Sequence, residues 1–299
     1  MIVRFRLAQA EAAGAENGRR KRVMRAWLQL LLIPFFLLLI VMQVELLVTR
    51  RATVALESER LAAGCELRIV QISDYHEFES QLSLRRILRW VAESDADFVA
   101  VTGDVLNAKP RNLPAVEALF EGLAEASIPC FFVAGNHDEQ HRVSGMLEEL
   151  FQRTGVRMLD NHSVILETAA GPVRVAGTRD AYSGYAKLDT ALAATAAEEA
   201  SYTVLLTHSP DLIPELEETD GVDVDLVLCG HTHGGQIRLP FVGALYVSGQ
   251  GWLPRWDRGL FTLENGTRVY VDSGVGWTWQ PFRLGAPSQI TVVTVRGTG

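Results

Sequence analysis

Five short apolar runs in this chain each stop at polar side chains of the kinds that bind metal ions, and this serial pattern constrains the fold most. Each run has the length and composition of a buried strand. The polar clusters that follow are, in chain order, Asp74-Tyr75-His76, Gly103-Asp104, Gly135-Asn136-His137-Asp138, His208 and Gly230-His231-Thr232-His233. In an open α/β sheet, groups at the carboxyl ends of the strands gather at one edge and bind ligands there. The pattern therefore predicts an α/β fold with a metal site built from these clusters.

Two amphipathic helices are predicted between the first strands. Leu84, Ile87, Leu88 and Val91 recur at the i, i+3, i+4, i+7 spacing, and residues 116–123 repeat it. Such a stripe marks a helix with one buried face, which is core packing rather than a ligand site. Because strands and helices alternate, we expect a sheet flanked by helices.

The second half of the chain is richer in strand patterns. A pair of strands is predicted within residues 164–176. A second pair, residues 260–263 and 268–271, flanks Asn265-Gly266, a dipeptide typical of tight hairpin turns. A second group of paired strands is therefore expected after the first sheet.

Residues 26–48 form the longest apolar segment, and Arg19-Arg20-Lys21-Arg22 precede it. A helix needs roughly 20 apolar residues to cross the hydrocarbon core, and this segment is just long enough. A signal peptide or a buried or interfacial helix would look similar, but no small-residue cleavage site follows closely, which favours an uncleaved transmembrane anchor. The predicted organisation is a basic segment over residues 1–25, the anchor over 26–48, a polar linker over 49–66 and one domain over 67–299.

The basic residues are unevenly distributed, and this predicts the orientation of the anchor. The first 25 residues carry seven Lys or Arg against two Glu, whereas Arg50 and Arg51 follow the apolar segment. The positive-inside rule then places the N-terminus in the cytoplasm and the domain outside it. A domain on the cytoplasmic face is the alternative.

Beyond that basic start, the chain is acidic, with a net charge of −8 overall. An acidic surface offers no general attraction for a polyanion, which argues against nucleic-acid binding. If the substrate is a phosphate ester, bound cations have to supply the local positive charge.

Taken in order, Asp-x-His, Gly-Asp, Gly-Asn-His-Asp, a lone His and Gly-His-Thr-His resemble the calcineurin-like metallophosphoesterase superfamily, over about residues 67–295. The run GHTHGGQIRLP at 230–240 resembles its small bacterial branch, which includes YkuE-type phosphoesterases and UDP-2,3-diacylglucosamine pyrophosphatases. The resemblance implies a four-layer α/β/β/α sandwich of two mixed sheets flanked by helices. One departure is Glu77-Phe78-Glu79 after His76, where the branch usually has a small pair such as Leu-Gly. The first loop is therefore expected to have its own shape.

The resemblance also implies a dinuclear site. It assigns Asp74, His76 and His233 to one metal ion, assigns a second set to the other ion, and makes Asp104 the bridge; the second set is Asn136, His208 and His231. Imidazoles with a few carboxylate or amide oxygens suit Mn, Fe, Zn or Co better than Ca or Mg. Two ions sharing a carboxylate can clamp the oxygens of an in-line displacement and activate a bridging hydroxide as the nucleophile.

His137, next to the implied ligand Asn136, is the candidate for protonating the leaving oxygen or steadying the charge of the transition state. Asp138 is expected to orient its ring. A structural role in supporting the loop is the alternative for His137. A Ser-His hydrolase triad at His208 and Ser209 is argued against, because no Gly-x-Ser-x-Gly nucleophile elbow is present.

The C-terminal part is rich in aromatic and basic side chains. They are Trp252, Trp256, Trp277, Trp279 and Phe282, interleaved with Arg255, Arg258 and Arg283. They are interpreted either as an aromatic core with solvated charges or as a mouth that accepts a lipid-linked phosphate ester.

Together these features predict a membrane-anchored metallophosphoesterase. The expected reaction is hydrolysis of a phosphodiester or pyrophosphate in a lipid-linked or nucleotide-sugar-lipid substrate, with two divalent metal ions as cofactors. A protein Ser/Thr phosphatase and a non-catalytic, metal-stabilised membrane scaffold are the alternatives.

Overall fold

The computed structural model describes residues 2–78, 80–142, 145–193, 200–219, 223–277 and 280–299. The chain divides into two compact units, Met1–Val44 and Glu45–Gly299. The helices, in chain order, are α1 Ile2–Leu47, α2 Gln81–Ala92, α3 Leu113–Glu125, α4 Asn136–Glu139, α5 Met146–Thr154, α6 Leu188–Ala193 and α7 Ile213–Glu218. The strands are β1 Arg50–Ser58, β2 Glu66–Ile72, β3 Phe98–Val101, β4 Cys130–Phe132, β5 Arg157–Met158, β6 His162–Thr168, β7 Gly171–Gly177, β8 Tyr202–Leu206, β9 Leu226–Cys229, β10 Arg238–Leu239, β11 Gly243–Ala244, β12 Tyr246–Val247, β13 Gly251–Trp252, β14 Gly259–Thr262, β15 Arg268–Val271 and β16 Gln289–Gly297.

The first unit consists of the long helix α1, whose last residues belong to the second unit. Its stretch Asn17–Leu47 is long and apolar enough to cross a membrane, and a signal sequence or the core helix of a soluble protein would meet the same criterion. The large apolar side chains from Trp27 to Val41 are all exposed. The predicted anchor therefore lies in one continuous apolar helix.

The second unit contains two six-stranded mixed sheets. The first has the order β1-β16-β2-β3-β4-β5, in which β16 runs antiparallel to β2 and the other neighbours are parallel. The second has the order β14-β15-β9-β8-β7-β6, parallel from β15 to β7 and antiparallel at both edges. The expected α/β class with two mixed sheets is confirmed.

Alternate side chains of the central strands enter different apolar clusters. In β2, Ile69 belongs to a cluster that includes residues of the second sheet, whereas Ile72 belongs to one that includes α2 and α3. In β8, Leu206 belongs to the former cluster, and Leu205 packs with α7. Because both faces of these strands are buried, their sequences are nearly continuous apolar runs.

Residues 49–66, predicted as a polar linker, contain β1. This strand pairs in parallel with β16 along its whole length, from Arg50 opposite Gln289 to Ser58 opposite Gly297. Five of its nine residues stay exposed, which is why its composition looks like that of a linker. Arg50–Ser58 is therefore an edge strand of the first sheet rather than part of a free connection.

The strand ends that carry the polar clusters lie close to where the sequence predicts them. The five strands end at Ile72, Val101, Phe132, Leu206 and Cys229. The hairpin around Asn265-Gly266 joins β14 to β15 in antiparallel register, as predicted. The two helices with the predicted apolar stripes are α2 and α3, whose buried residues include Leu84 and Leu119.

Candidate metal centre

The loops after β2 and β9 bring one group of ligand atoms together. The Nε2 atoms of His76 and His233 lie 3.3 Å apart. Oδ1 of Asp74 is 3.9 Å from Nε2 of His76 and 3.7 Å from Nε2 of His233. All three residues are buried, and atoms at these separations could all coordinate one ion.

A second group forms where the loops after β3, β8 and β9 meet. Nε2 of His208 lies 3.3 Å from Oδ2 of Asp104 and 3.2 Å from Nδ1 of His231. Oδ2 of Asp104 is also 3.8 Å from Nε2 of His76, a member of the first group. One carboxylate oxygen therefore lies between the two groups of ligand atoms.

Hydrogen bonds to the main chain orient two of these imidazoles. Nδ1 of His76 lies 3.2 Å from the carbonyl of Leu106, and Nδ1 of His208 lies 2.8 Å from the carbonyl of Thr102. With Nδ1 donating to a carbonyl, Nε2 of each ring is directed to the centre. This outer hydrogen bond is typical of histidines that bind metal ions.

Several buried polar atoms at the centre have no hydrogen-bond partner among the described residues. They are Oδ1 of Asn136, Nε2 of His231 and Nδ1 of His137. Buried polar groups are otherwise almost always satisfied, because leaving one unpaired costs about 1–3 kcal/mol. The two unpaired nitrogens are on the far side of rings whose other nitrogen is near the ligand atoms, whereas the unpaired Oδ1 of Asn136 is an acceptor that fits a site for a divalent metal ion.

The backbone at the centre is strained at the ligand positions themselves. The φ angles are 50° at Asp74, 47° at His76, 51° at Asp104, 68° at His231 and 51° at His233. Non-glycine residues rarely adopt positive φ, which costs on the order of 1–3 kcal/mol and clusters at functional sites. The backbone therefore turns sharply after β2, β3 and β9, and these turns direct the side chains to the centre.

Burial sets the charge states of most ligands in the metal-free centre. It lowers the pKa of His76 to about 4 and that of His231 to about 3, and it lowers the pKa of His233 well below its usual value. These imidazoles are neutral near pH 7, which is the form that binds metal ions. Burial also raises the pKa of Asp74 to about 7.

His208 and Asp104 behave as an ion pair. Burial opposes a charge on each of them, but their mutual attraction outweighs it, so the pKa of His208 lies well above its usual value and that of Asp104 well below. A metal ion bound by Asp104, His208 and His231 would compete with the extra proton on His208. Metal binding would therefore release it.

His137 lies at the edge of the centre. Its Nε2 is 3.8 Å from Oδ2 of Asp104, and its side chain remains 20% exposed. The expected role of Asp138 is wrong: its two carboxylate oxygens accept hydrogen bonds from the backbone N–H groups of Leu106 and Gly135. Asp138 therefore fixes the loops around the centre instead of orienting the His137 ring.

Two cavities adjoin the centre. The one that we call the apolar cavity has a volume of about 390 Å³ and is lined, beside His231 and His233, by residues such as Ile237, Leu245, Val247, Trp252 and Phe282. The one that we call the cationic cavity has a volume of about 600 Å³ and is lined by His76, Asn107, Lys109, Arg111, His137 and Trp277, among others.

The aromatic and basic residues near the C-terminus have different environments. Trp256 is buried, whereas Trp252 is 77% exposed. Arg283, expected among the groups that pair with phosphate, is fully buried. Its guanidinium donates to the carbonyls of Ser273 and Gly276 and lies 3.3 Å from Nδ1 of His233, so it cannot reach a substrate. Trp279 lies outside the described residues.

Two side chains next to the centre were not predicted from the sequence. The ring centroids of Tyr182 and His231 lie 4.8 Å apart, and no sequence motif indicates this contact. Glu77, noted only as a departure from the expected pattern, is buried beside His76.

Comparison with known proteins gives consistent results. The family described as calcineurin-like phosphoesterase matches residues 67–235. The metallophosphoesterase YkuE of Bacillus subtilis is 30% identical over 77% of this chain and 79% of its own length. Phosphodiesterase YaeI of Escherichia coli is 29% identical over 67% of this chain and 71% of its own length. A metallophosphoesterase of Campylobacter jejuni is 29% identical, and the match spans 60% of its length.

Among solved structures, a 5'-nucleotidase precursor from Thermus thermophilus has a similar fold. Its TM-score is 0.50 at 12% identity, over 78% of this chain and 55% of that one. At this identity the similarity concerns the fold alone.

Proposed function

The chain belongs to the calcineurin-like phosphoesterase family, whose members are hydrolases of phosphate esters, and from this premise we propose that it cleaves a phosphodiester or pyrophosphate bond at a dinuclear metal centre. The name of one relative, phosphodiesterase YaeI, supports a diester. The four-layer α/β/β/α arrangement is part of the proposal. It is supported by one apolar cluster shared between the sheets and by two clusters that include helices.

One ion would be held by Asp74, His76 and His233. The other would be held by three residues from different loops, with Asp104 between the ions; those residues are Asn136, His208 and His231. The observation that carries this assignment is the position of Asp104 Oδ2, within 3.3 Å of His208 Nε2 and 3.8 Å of His76 Nε2. The unpaired Oδ1 of Asn136 supports its inclusion. Bound there, two divalent ions would clamp the phosphate oxygens and lower the pKa of a water molecule.

His137 is the proposed general acid of the centre. His137 has one ring nitrogen near Asp104 and lines the cationic cavity, so it can donate a proton to a leaving oxygen there. Asp104 also accepts a hydrogen bond from the backbone N–H of His137 at 2.9 Å. This bond ties the position of the proposed acid to that of the bridging carboxylate.

The lipid-linked nature of the substrate is supported by the apolar cavity and its surroundings. Six apolar or aromatic side chains line this cavity beside His231 and His233. Phe241, on the turn between β10 and β11, is fully exposed, and its neighbours Leu239 and Val242 are exposed as well. Exposed apolar groups of this kind mark surfaces that bind lipid or another apolar partner.

The membrane anchor is the last part of the proposal, and Glu45 is the first residue of the second unit. Glu45, in the last turn of α1, accepts hydrogen bonds from the backbone N–H groups of Gly285 and Ser288. We propose a single-pass anchor with the domain on the extracytoplasmic side, as the charge asymmetry predicts.

The test is hydrolysis of bis-p-nitrophenyl phosphate by the full chain in detergent, with Mn²⁺ and with EDTA. We expect turnover that requires the metal ion, and two equivalents of metal by elemental analysis. Faster cleavage of a phosphoserine peptide than of diesters would favour a protein phosphatase. Metal binding without turnover of any ester would favour the scaffold.

Membrane anchoring has its own test. We expect the full chain to stay in the membrane fraction after carbonate extraction. Release into the supernatant would contradict the anchor and leave the metal chemistry untouched.

A further inference from the structure

The loop over residues 107–112 forms one wall of the cationic cavity. Glu77, which is 3% exposed, holds this loop. Its Oε1 accepts the backbone N–H of Asn107 at 3.0 Å. Its Oε2 accepts the backbone N–H groups of Arg111 at 2.7 Å and Asn112 at 2.8 Å. One buried carboxylate thus fixes both ends of the loop.

The same loop is also tied to the metal centre. The side-chain amide of Asn107 donates to the carbonyl of His76 at 3.0 Å. Since Glu77 directly follows His76, the loop and the ligand turn form one hydrogen-bonded structure. The loop therefore holds its side chains at a fixed position relative to His76.

The side chains that the loop presents are cationic. Lys109 and Arg111 are exposed and line the cavity, and no described carboxylate forms an ion pair with either. The buried carboxylate of Glu77 contacts three backbone N–H groups rather than either of these side chains. In a chain with a net charge of −8, two unpaired cations in one cavity attract an anion locally.

We propose that the cationic cavity binds a second anionic group, carried by the leaving part of the substrate. This rests on the proposed function, because His137 lines the same cavity and is the group that would protonate the leaving oxygen. In the reaction, water gives one proton to the solvent and the resulting hydroxide oxygen bonds to phosphorus. The bond from phosphorus to the leaving oxygen breaks, and that oxygen takes the proton of His137, which regains a proton from the solvent. The leaving alcohol then departs with its own phosphate or carboxylate held by Lys109 and Arg111.

The first experiment compares two methyl phosphodiesters in detergent with Mn²⁺. One has 4-acetylphenol as an uncharged leaving group, and the other has 4-hydroxyphenyl phosphate as a charged one. We expect the double variant Lys109→Ala/Arg111→Ala to lower the ratio of kcat/KM, charged over uncharged, by about tenfold to a hundredfold. Arg153→Ala, which removes one exposed charge on α5, is the matched control and should leave this ratio unchanged. An unchanged ratio in the double variant would overturn the proposal.

The second experiment needs no turnover. Metal-free full-length protein is titrated calorimetrically with phenyl phosphate and, in a parallel arm, with benzoate. Binding that weakens at least about tenfold in the double variant but not in Arg153→Ala supports the subsite, and the two arms show whether phosphate or carboxylate is preferred. If no ester is turned over while this binding is seen, the proposed function fails and the subsite stands. Equal binding to the double variant and the unaltered protein would overturn the subsite whatever the activity.

Discussion

The two cavities beside the metal centre are built in opposite ways. The apolar cavity lies among β10 to β13, four strands of two residues each, and its rim carries exposed side chains such as Trp252. The cationic cavity is formed by a loop that a buried carboxylate, Glu77, fixes to the ligand turn. If both proposals hold, the substrate carries an apolar part that binds in one cavity and an anionic part that binds in the other.

If one metal centre serves both cavities, substitution of Asp104 should have the largest effect. Its Oδ2 lies between the two ligand groups, so Asp104→Asn should lower turnover of every ester by about 10⁴-fold and reduce metal content. Asn136→Ala should cost less, because it removes one ligand from one group. Two full equivalents of metal in purified Asp104→Asn, measured by elemental analysis, would refute the proposal that Asp104 is shared by the two ions.

His137 tests which cavity receives the leaving group. His137→Ala should keep both metals while kcat falls about 10²-fold for poor leaving groups, as expected for a lost general acid. The loss should shrink for p-nitrophenol, which departs without a proton. Equal losses for good and poor leaving groups would indicate that His137 only supports its loop or steadies charge.

Lowering the pH should weaken metal binding at the centre without changing which substrate part each cavity prefers. Burial raises the pKa of Asp74 to about 7, and despite burial the partner Asp104 keeps the pKa of His208 well above its usual value. Metal ligation displaces these protons, so Mn²⁺ affinity should fall as pH falls from 8 to 6, by about tenfold per pH unit for each displaced proton. Calorimetric titrations of metal-free protein at three pH values check this, and a pH-independent affinity would contradict it.

The smallest expected effect concerns the apolar cavity. Trp252→Ala should lower kcat/KM for dodecyl p-nitrophenyl phosphate about fivefold more than for the methyl ester, because only the long chain uses this contact. Trp277→Ala, which alters the cationic cavity and the contact with Phe78, should not change the preference for chain length. Leu260→Ala, an exposed apolar position on β14, controls for surface effects. Equal losses on both esters, or a lowered Tm, would mean that Trp252 is ordinary packing.

Much of the fold could be predicted because its signals are local. The strand ends at Ile72 and Cys229 follow from apolar runs that stop at polar residues, and the β14-β15 hairpin follows from Asn265-Gly266. Strand β1 could not be predicted in this way. It pairs with residues more than 230 positions away, and an edge strand with one side in water has the composition of a linker.

For the centre, the sequence by itself determined which residue types stand at the strand ends, including Asp74, His76 and His233. Only the tertiary structure decided which of them meet and what their neighbours do. It placed Asp104 between two groups of ligands, turned Asp138 toward backbone N–H groups and buried Arg283 against His233. It also made Glu77 the support of a loop 30 residues away. The physical reason is that periodicity and turn chemistry act over a few residues, whereas hydrogen bonds and burial at this centre join side chains that only the packed sheets bring together.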